Sequence, residues 1–451
     1  MSERSRLGRI LANAGVLLGG RAVNAVISLG YLAIAARFLG VREVGVLILI
    51  NAFAELVGEV VKFQSWQTVL HFGAPALAAD DRPRLRQVVR FTLALDLASS
   101  IAGVVIAVAA ALLIGGRLGW TPADGPGAAV YCLSIALMVP ATPVGLLRLF
   151  DRFDLIAFQA PISSAVRLVG SGLALLLGGS LALFLGVWAL GTAAAFLYLV
   201  AVTVGEMRRR GLLAGFRWRG PLSAGMPGAW RFAWATNASG TLDVAFTHAI
   251  TLMVGALVGP APAALWKIGR QVADALAKPA RLLVPALYPE LARLHALGGE
   301  RAMRRLALQV GLLGGGVGTL LLAVTLIAGR PLLTLVMGPA FAGGATIMTW
   351  QVAAAVIGIW AVPLEPMLIS LGRPGDVVRV RLVVSVALLA ALPATIGRFG
   401  LDGAGAALVA AMGGLAVGMF IMLERDRARV RRDESTRTSG ANDPAQAKAR
   451  P

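Results

Sequence analysis

Twelve apolar stretches, each long enough to cross a bilayer, follow one another along this chain. They cover 10–36, 44–66, 86–114, 127–149, 155–178, 182–205, 228–256, 262–288, 304–328, 345–369, 376–397 and 402–423. A membrane helix needs about 20 mostly apolar residues. In hydrocarbon every backbone polar group must be satisfied internally, which leaves only helices or closed barrels. The period-two segments of about ten residues that mark a barrel are absent. The sequence therefore predicts an all-α polytopic membrane protein with twelve transmembrane helices. Composition agrees: 57% of the 451 residues are hydrophobic and 14% are charged, against about a quarter charged in soluble domains. The single cysteine, Cys132, sits in an apolar segment, which rules out a disulfide framework.

The N-terminus, "MSERSRLGRILANAGVLLGG", is basic and then apolar, as a signal peptide is. Its apolar stretch runs on to about Ala36 and contains Arg21 and Asn24, so it reads as a retained first span. With the N-terminus inside, about 30 of the 42 lysines and arginines fall on the cytoplasmic side and about five on the other. That bias sets the orientation, with both termini cytoplasmic. The net charge of +19 thus reflects topology anchors and contacts with anionic membrane lipids, not nucleic-acid binding. The tail 424–451 is charged and poor in apolar residues, and disorder is expected there.

Sliding the second half back by 219 residues superimposes spans 7–12 on spans 1–6. Six spans is an even number, so the halves would be parallel repeats, one of the arrangements of secondary transporters. The implied organisation is an N-terminal six-helix lobe (1–205), a cytoplasmic linker (206–227), a C-terminal six-helix lobe (228–423) and the tail. In this register Glu55 meets Asp274, Lys62 meets Arg281, Asn51 meets Arg270 and Glu59 meets Lys278.

Charge inside the spans is patterned. At 100° per residue, Lys267, Arg270, Asp274, Lys278 and Arg281 share about 80° of one helix face, and so do Asn51, Glu55, Glu59, Lys62 and Trp66. A charge at a span centre costs about 2.5–3.5 kcal/mol even on the gentler insertion scale, so these faces must meet protein or water. Ion pairing between helices, such as Glu55 or Glu59 with Arg270 or Lys278, is one account. A central polar cavity between the lobes is the other. Seven cations (Arg21, Lys62, Arg167, Lys267, Arg270, Lys278, Arg281) face three acids (Glu55, Glu59, Asp274), and pairing cannot use up that excess. A cationic cavity suits an anion, and the arginine fork suits phosphate or carboxylate oxygens. The acids are candidates for ion coupling or ion pairing. His248 alone reads as a packed polar residue. The glycine runs 311–318 and 413–418 read as close helix packing.

Three segments, "VVKFQSWQTVLHFG" (60–73), "LLRLFDRFDLIAFQAPISSAVRLVG" (146–170) and "LWKIGRQVADALAKPARLLVPALYPELARL" (265–294), resemble the Wzx-type oligosaccharide flippases of the multidrug/oligosaccharidyl-lipid/polysaccharide (MOP) exporter superfamily. The resemblance spans nearly all of the chain except the tail. It implies two six-helix lobes and a cargo of undecaprenyl-diphosphate-linked sugar, moved across the bacterial inner membrane by alternating access. It also implies Arg21, Lys62 and Arg270, with Lys267 close by, as diphosphate contacts. Polysaccharide polymerase or export machinery would be the protein partners. No nucleotide motif, cofactor site or metal site is apparent. A drug exporter of the same superfamily is the competing reading. A polymerase or ligase would need large outward loops with catalytic Arg or His, and the loops near 115–126 and 329–344 hold no histidine. A scaffold would not need a polar lumen.

Overall fold

The computed structural model describes Glu3–Ala441, apart from Arg219, Ala224, 282–290, 292 and 295–299. Side chains at 3–23, 25–26, 238–247, 276–281, 300, 374 and 426–441 are also outside the description. Among the described residues the secondary structure is helical throughout. The first helices are α1 (Glu3–Val61), α2 (Ser65–Ala78), α3 (Arg82–Ile114), α4 (Gly125–Cys132), α5 (Ile135–Met138), α6 (Thr142–Leu149), α7 (Phe153–Ala157), α8 (Gln159–Leu176) and α9 (Leu181–Arg209). They are followed by α10 (Ala229–Val258), α11 (Pro260–Arg281), α12 (Glu300–Met337), α13 (Ala345–Trp360), α14 (Leu364–Ser370) and α15 (Pro374–Ala441).

Seven described stretches are long and apolar enough to cross a membrane. Two of them, Ile27–Ala78 and Gly375–Arg425, run to 52 and 51 residues, far beyond one bilayer. Each is bent at a glycine. Gly40 (φ 76°, ψ 172°) breaks α1, and Gly400 (φ 59°, ψ −140°) breaks α15. A Cβ at either glycine would meet nothing within 4 Å, so backbone conformation alone calls for glycine there. Leu113 and Ile327 are 82% and 84% exposed. With seven described stretches long and apolar enough to cross a bilayer, the chain is an all-α multi-pass membrane protein.

Several expected spans are interrupted. The stretch 127–149 is split into α4, α5 and α6, with Pro140 in the last break. The stretch 345–369 is split between α13 and α14 before Pro363. The second span was expected to reach residue 66, but α1 stops at Val61 and the chain restarts as α2 at Ser65. Lys62 therefore lies past the helix end, and Trp66 belongs to another helix than Glu55. α15 continues as helix to Ala441, into the segment for which the sequence predicts disorder.

The described chain divides into two compact units. The first holds Met1–Lys267 and Pro331–Gly343. In it α8 packs on α1 and α9, α10 packs along α1, and α2 packs on α3 and α6. Asp96 in α3 accepts the backbone N–H groups of Ala141 (2.9 Å) and Thr142 (2.8 Å), capping α6 from a neighbouring helix. The basic run at the start of α3 docks chain. Arg86 donates to the carbonyls of Leu212 (3.1 Å) and Gly211 (3.3 Å), and Arg90 to that of Pro221 (2.5 Å). Arg37 donates to the carbonyls of Leu335 and Val336 at the end of α12, residues that belong to this unit.

At the end of α9, buried Glu206 gathers Arg152, Arg209 (3.4 Å) and Arg210 (3.8 Å). Arg152 also grips Asp154 (2.9 Å), and that hydrogen bond holds the Asp154 carboxyl below its ordinary range.

The second unit holds Ile268–Arg330 and Gly344–Pro451. Its apolar core joins α12 (Met303, Ala307), α14 (Met367, Leu368) and both arms of α15 (Val377, Val380, Met419, Leu423). The glycine runs pack as the sequence predicts at Gly315, which leaves no room for a Cβ beside Trp360, and at Gly418, beside Val380. Glu365, between two prolines, pairs with Arg381 at 2.7 Å.

Candidate binding cavity

The first unit encloses a polar-walled cavity of about 510 Å³. α1 reaches it twice, with Asn24 and Tyr31 before the Gly40 bend and Glu55 and Glu59 after it. α8 supplies Ser164 and Arg167, α9 Thr192, and α10 His248. The face-sharing that the sequence predicts for Glu55 and Glu59 is realised here.

Arg167 is the central cation. Its guanidinium lies 5.0 Å from the ring centre of Trp188 and 5.8 Å from that of Tyr31. The two rings meet edge to face at 5.7 Å. An arginine over aromatic faces gains cation–π attraction while keeping its N–H donors. One Nη donates to Thr192 (3.1 Å), whose hydroxyl donates on to the Trp188 carbonyl (3.1 Å). The buried Nε has no hydrogen-bond partner among the described residues. That atom packs against α9, where a Cβ at Gly191 would lie 3.1 Å from it.

Glu55 is differently placed. Its Oε2 lies 3.2 Å from Nδ1 of His248. Asn51 hydrogen-bonds Glu55 and accepts from the Tyr131 hydroxyl at 2.6 Å, which fixes the amide orientation. Lys267 and Arg167 are the cations that, with His248, surround Glu55. Asn24, on the other arm of α1, accepts from Ser164 at 2.5 Å.

The other candidates divide. Lys62 pairs with Glu59 at 3.2 Å, one turn away on the chain. Arg270 pairs with Asp274 at 3.2 Å, inside the second unit. The pairing of Glu55 or Glu59 with Arg270 or Lys278, offered by the sequence as one account, would run between the two units, and within the first unit each acid has another partner. Glu55 meets His248 and Glu59 meets Lys62. The side chains of Arg21, Lys278 and Arg281 lie outside the described residues. Sequence reasoning undervalued His248, because its partner sits on a distant span. It passed over Asp96 altogether, although a lone acid in an apolar span is a signal.

No protein-family model matches the chain. It is 34% identical over 332 residues to the inner membrane protein YghQ of Escherichia coli (strain K12), an alignment covering 73% of this chain and 92% of that one. The chain belongs to the YghQ family. Among solved structures it resembles the inward-facing conformation of a multidrug resistance MATE family transporter of the MOP superfamily, with TM-score 0.69 and 13% identity. That match covers 91% of this chain and 94% of the transporter. The lipid II flippase MurJ in an inward closed conformation matches with TM-score 0.66 and 10% identity, over 90% of this chain and 87% of MurJ. This member of the YghQ family thus has the fold of MOP superfamily transporters, the superfamily that the sequence segments pointed to.

Proposed function

We propose that the chain is a transporter that flips undecaprenyl-diphosphate-linked oligosaccharide across the bacterial inner membrane by alternating access, supplying polysaccharide biosynthesis. The proposal includes twelve spans in two six-helix lobes with both termini in the cytoplasm. The bends at Gly40 and Gly400 support that count, since each divides an overlong helix into two arms that are both long enough to cross a bilayer. The sorting of lysine and arginine supports the orientation.

One observation carries the cargo class: Arg167, held over Trp188 and Tyr31, brings a guanidinium to the wall of a roomy polar cavity. A phosphate oxygen suits that guanidinium, and Lys267 adds a second positive charge nearby. Arg270 and Lys62, each already paired with a carboxylate, take lesser roles than the sequence gives them. Moving two negative charges outward through an inside-negative potential releases about 4.6 kcal/mol per 100 mV, enough to bias the direction of transport.

The experiment is deletion of the gene in its host, followed by assay of lipid-linked glycans in each leaflet. The proposal expects intermediates to accumulate on the inner leaflet and to disappear on complementation. Normal leaflet distribution in the deletion strain rules the proposal out.

A second reading, a drug or cation exporter, draws on Glu55 and Glu59 in the same cavity. His248 and Lys267 already act on Glu55, and Lys62 on Glu59, which weakens the attraction for a cationic drug. Increased drug sensitivity of the deletion strain with unchanged glycans would favour this reading.

A further inference from the structure

The second unit carries an apolar groove of about 240 Å³ that the proposed cargo cavity does not use. Leu308 and Leu312 of α12 form one wall and Phe420 of α15 the other, with Trp360 and Pro363 between. Leu308, Leu312, Trp360 and Phe420 are all exposed, so the groove opens outward along its length. Gly311 lies in its floor, and a Cβ there would make only ordinary contacts, at 3.7 Å from the Trp360 carbonyl oxygen and 3.8 Å from Pro363. The glycine run that packs α12 at Gly315 therefore leaves a channel one turn earlier.

The groove has one charged end. Arg304 lines it there, paired with Glu424 at 3.3 Å, and both side chains are about half exposed. Arg301 and Arg305 are exposed on the same turn of α12, beside the groove's mouth, while Glu424 is the acid that lines it. A slot lined by apolar side chains, with Arg304 at one end and two further arginines on the same turn, matches a hydrocarbon chain joined to a phosphate.

We infer that this groove seats one acyl chain of an anionic phospholipid, whose phosphate is held by Arg304 with Arg301 and Arg305. The basic segment 300–305 places the headgroup in the leaflet that carries the other basic loops, the cytoplasmic one. The occupant is a lipid of the surrounding bilayer rather than the cargo's polyprenyl tail, because the mouth offers cations but no polar wall for a glycan. This inference does not depend on the nature of the cargo.

Native mass spectrometry of the full-length protein, exposed to equal amounts of phosphatidylglycerol, phosphatidylcholine and polyprenyl phosphate, tests it. Retained phosphatidylglycerol should exceed phosphatidylcholine about tenfold. Gly311→Leu, which fills the groove without a backbone clash, should abolish that retention. Arg304→Gln should remove the preference for the anionic headgroup while leaving chain binding. Equal retention of the two phospholipids overturns the inference, and so does retention unchanged in Gly311→Leu. Preferential retention of polyprenyl phosphate that Gly311→Leu abolishes also overturns it, by assigning the groove to a cargo-type tail. If Gly311→Leu fails to fold, Leu308→Gln, at an exposed wall position, gives the same readout.

Discussion

Nδ1 of His248 lies 3.2 Å from Oε2 of Glu55, tying α10 to the second arm of α1 on the wall of the polar cavity. Lys267 acts on the same carboxylate, so one acid balances two basic side chains in a mostly buried place. Removing one member of such a group leaves the others without compensation. A double-mutant cycle of Glu55→Gln and His248→Gln should give a coupling free energy of about 1 kcal/mol or more. Unfolding of the purified single and double variants measures it. Strictly additive effects would contradict the pairing.

Gly40 bends α1 in a backbone region that glycine alone enters readily, with open space where a Cβ would go. Gly40→Ala should therefore cost about 1–3 kcal/mol from backbone strain alone. Gly186, inside α9 with equally open surroundings and no positive φ, is the control. Gly186→Ala should stabilise by roughly 0.5–1 kcal/mol. Melting temperatures in one detergent compare the two, and equal shifts would refute the strain argument.

Asp154 is held below the ordinary carboxylate range by its hydrogen bond from Arg152. A carboxyl depressed in the folded state adds stability above its unfolded pKa of about 3.9. That contribution is lost as pH falls through the lower folded value. The acid limb of stability against pH should therefore be shallower in Asp154→Asn, the two curves meeting at low pH and parting by at most about 1 kcal/mol at neutrality, because the side chain is half exposed. Thermal melts between neutral and acid pH give the slope. An unchanged acid limb removes Asp154 from the account.

Hydropathy located most of the helices, because a bilayer permits few alternatives, and the 100° periodicity put Glu55 and Glu59 on one face, the face that lines the cavity. Helix breaks were harder to read. The chain passes from α1 to α2 at residues 62–64 without a strong breaker, so periodicity carried Lys62 and Trp66 onto a face that α1 does not extend to. Arg270 and Asp274 stand at i and i+4, where local pairing is the default, and the structure realises it. Arg167 was legible as a cation but not as a wall residue of the cavity, since that depends on Trp188, Tyr31 and Thr192 arriving from other helices. His248 and Glu55 meet only through tertiary packing, which a single sequence does not record.

The central claim is that Arg167 receives the diphosphate of a lipid-linked glycan. Its most direct test is leaflet translocation of a labelled undecaprenyl-diphosphate oligosaccharide in proteoliposomes. Wild-type protein is compared with Arg167→Lys, Arg167→Gln and Lys62→Ala at matched incorporation. The account predicts at least a tenfold loss for Arg167→Gln. It predicts partial loss for Arg167→Lys, which keeps the charge but not the fork. Lys62→Ala should stay within about twofold of wild type, because Lys62 is already paired with Glu59. Wild-type translocation by a folded Arg167→Gln variant would contradict the claim.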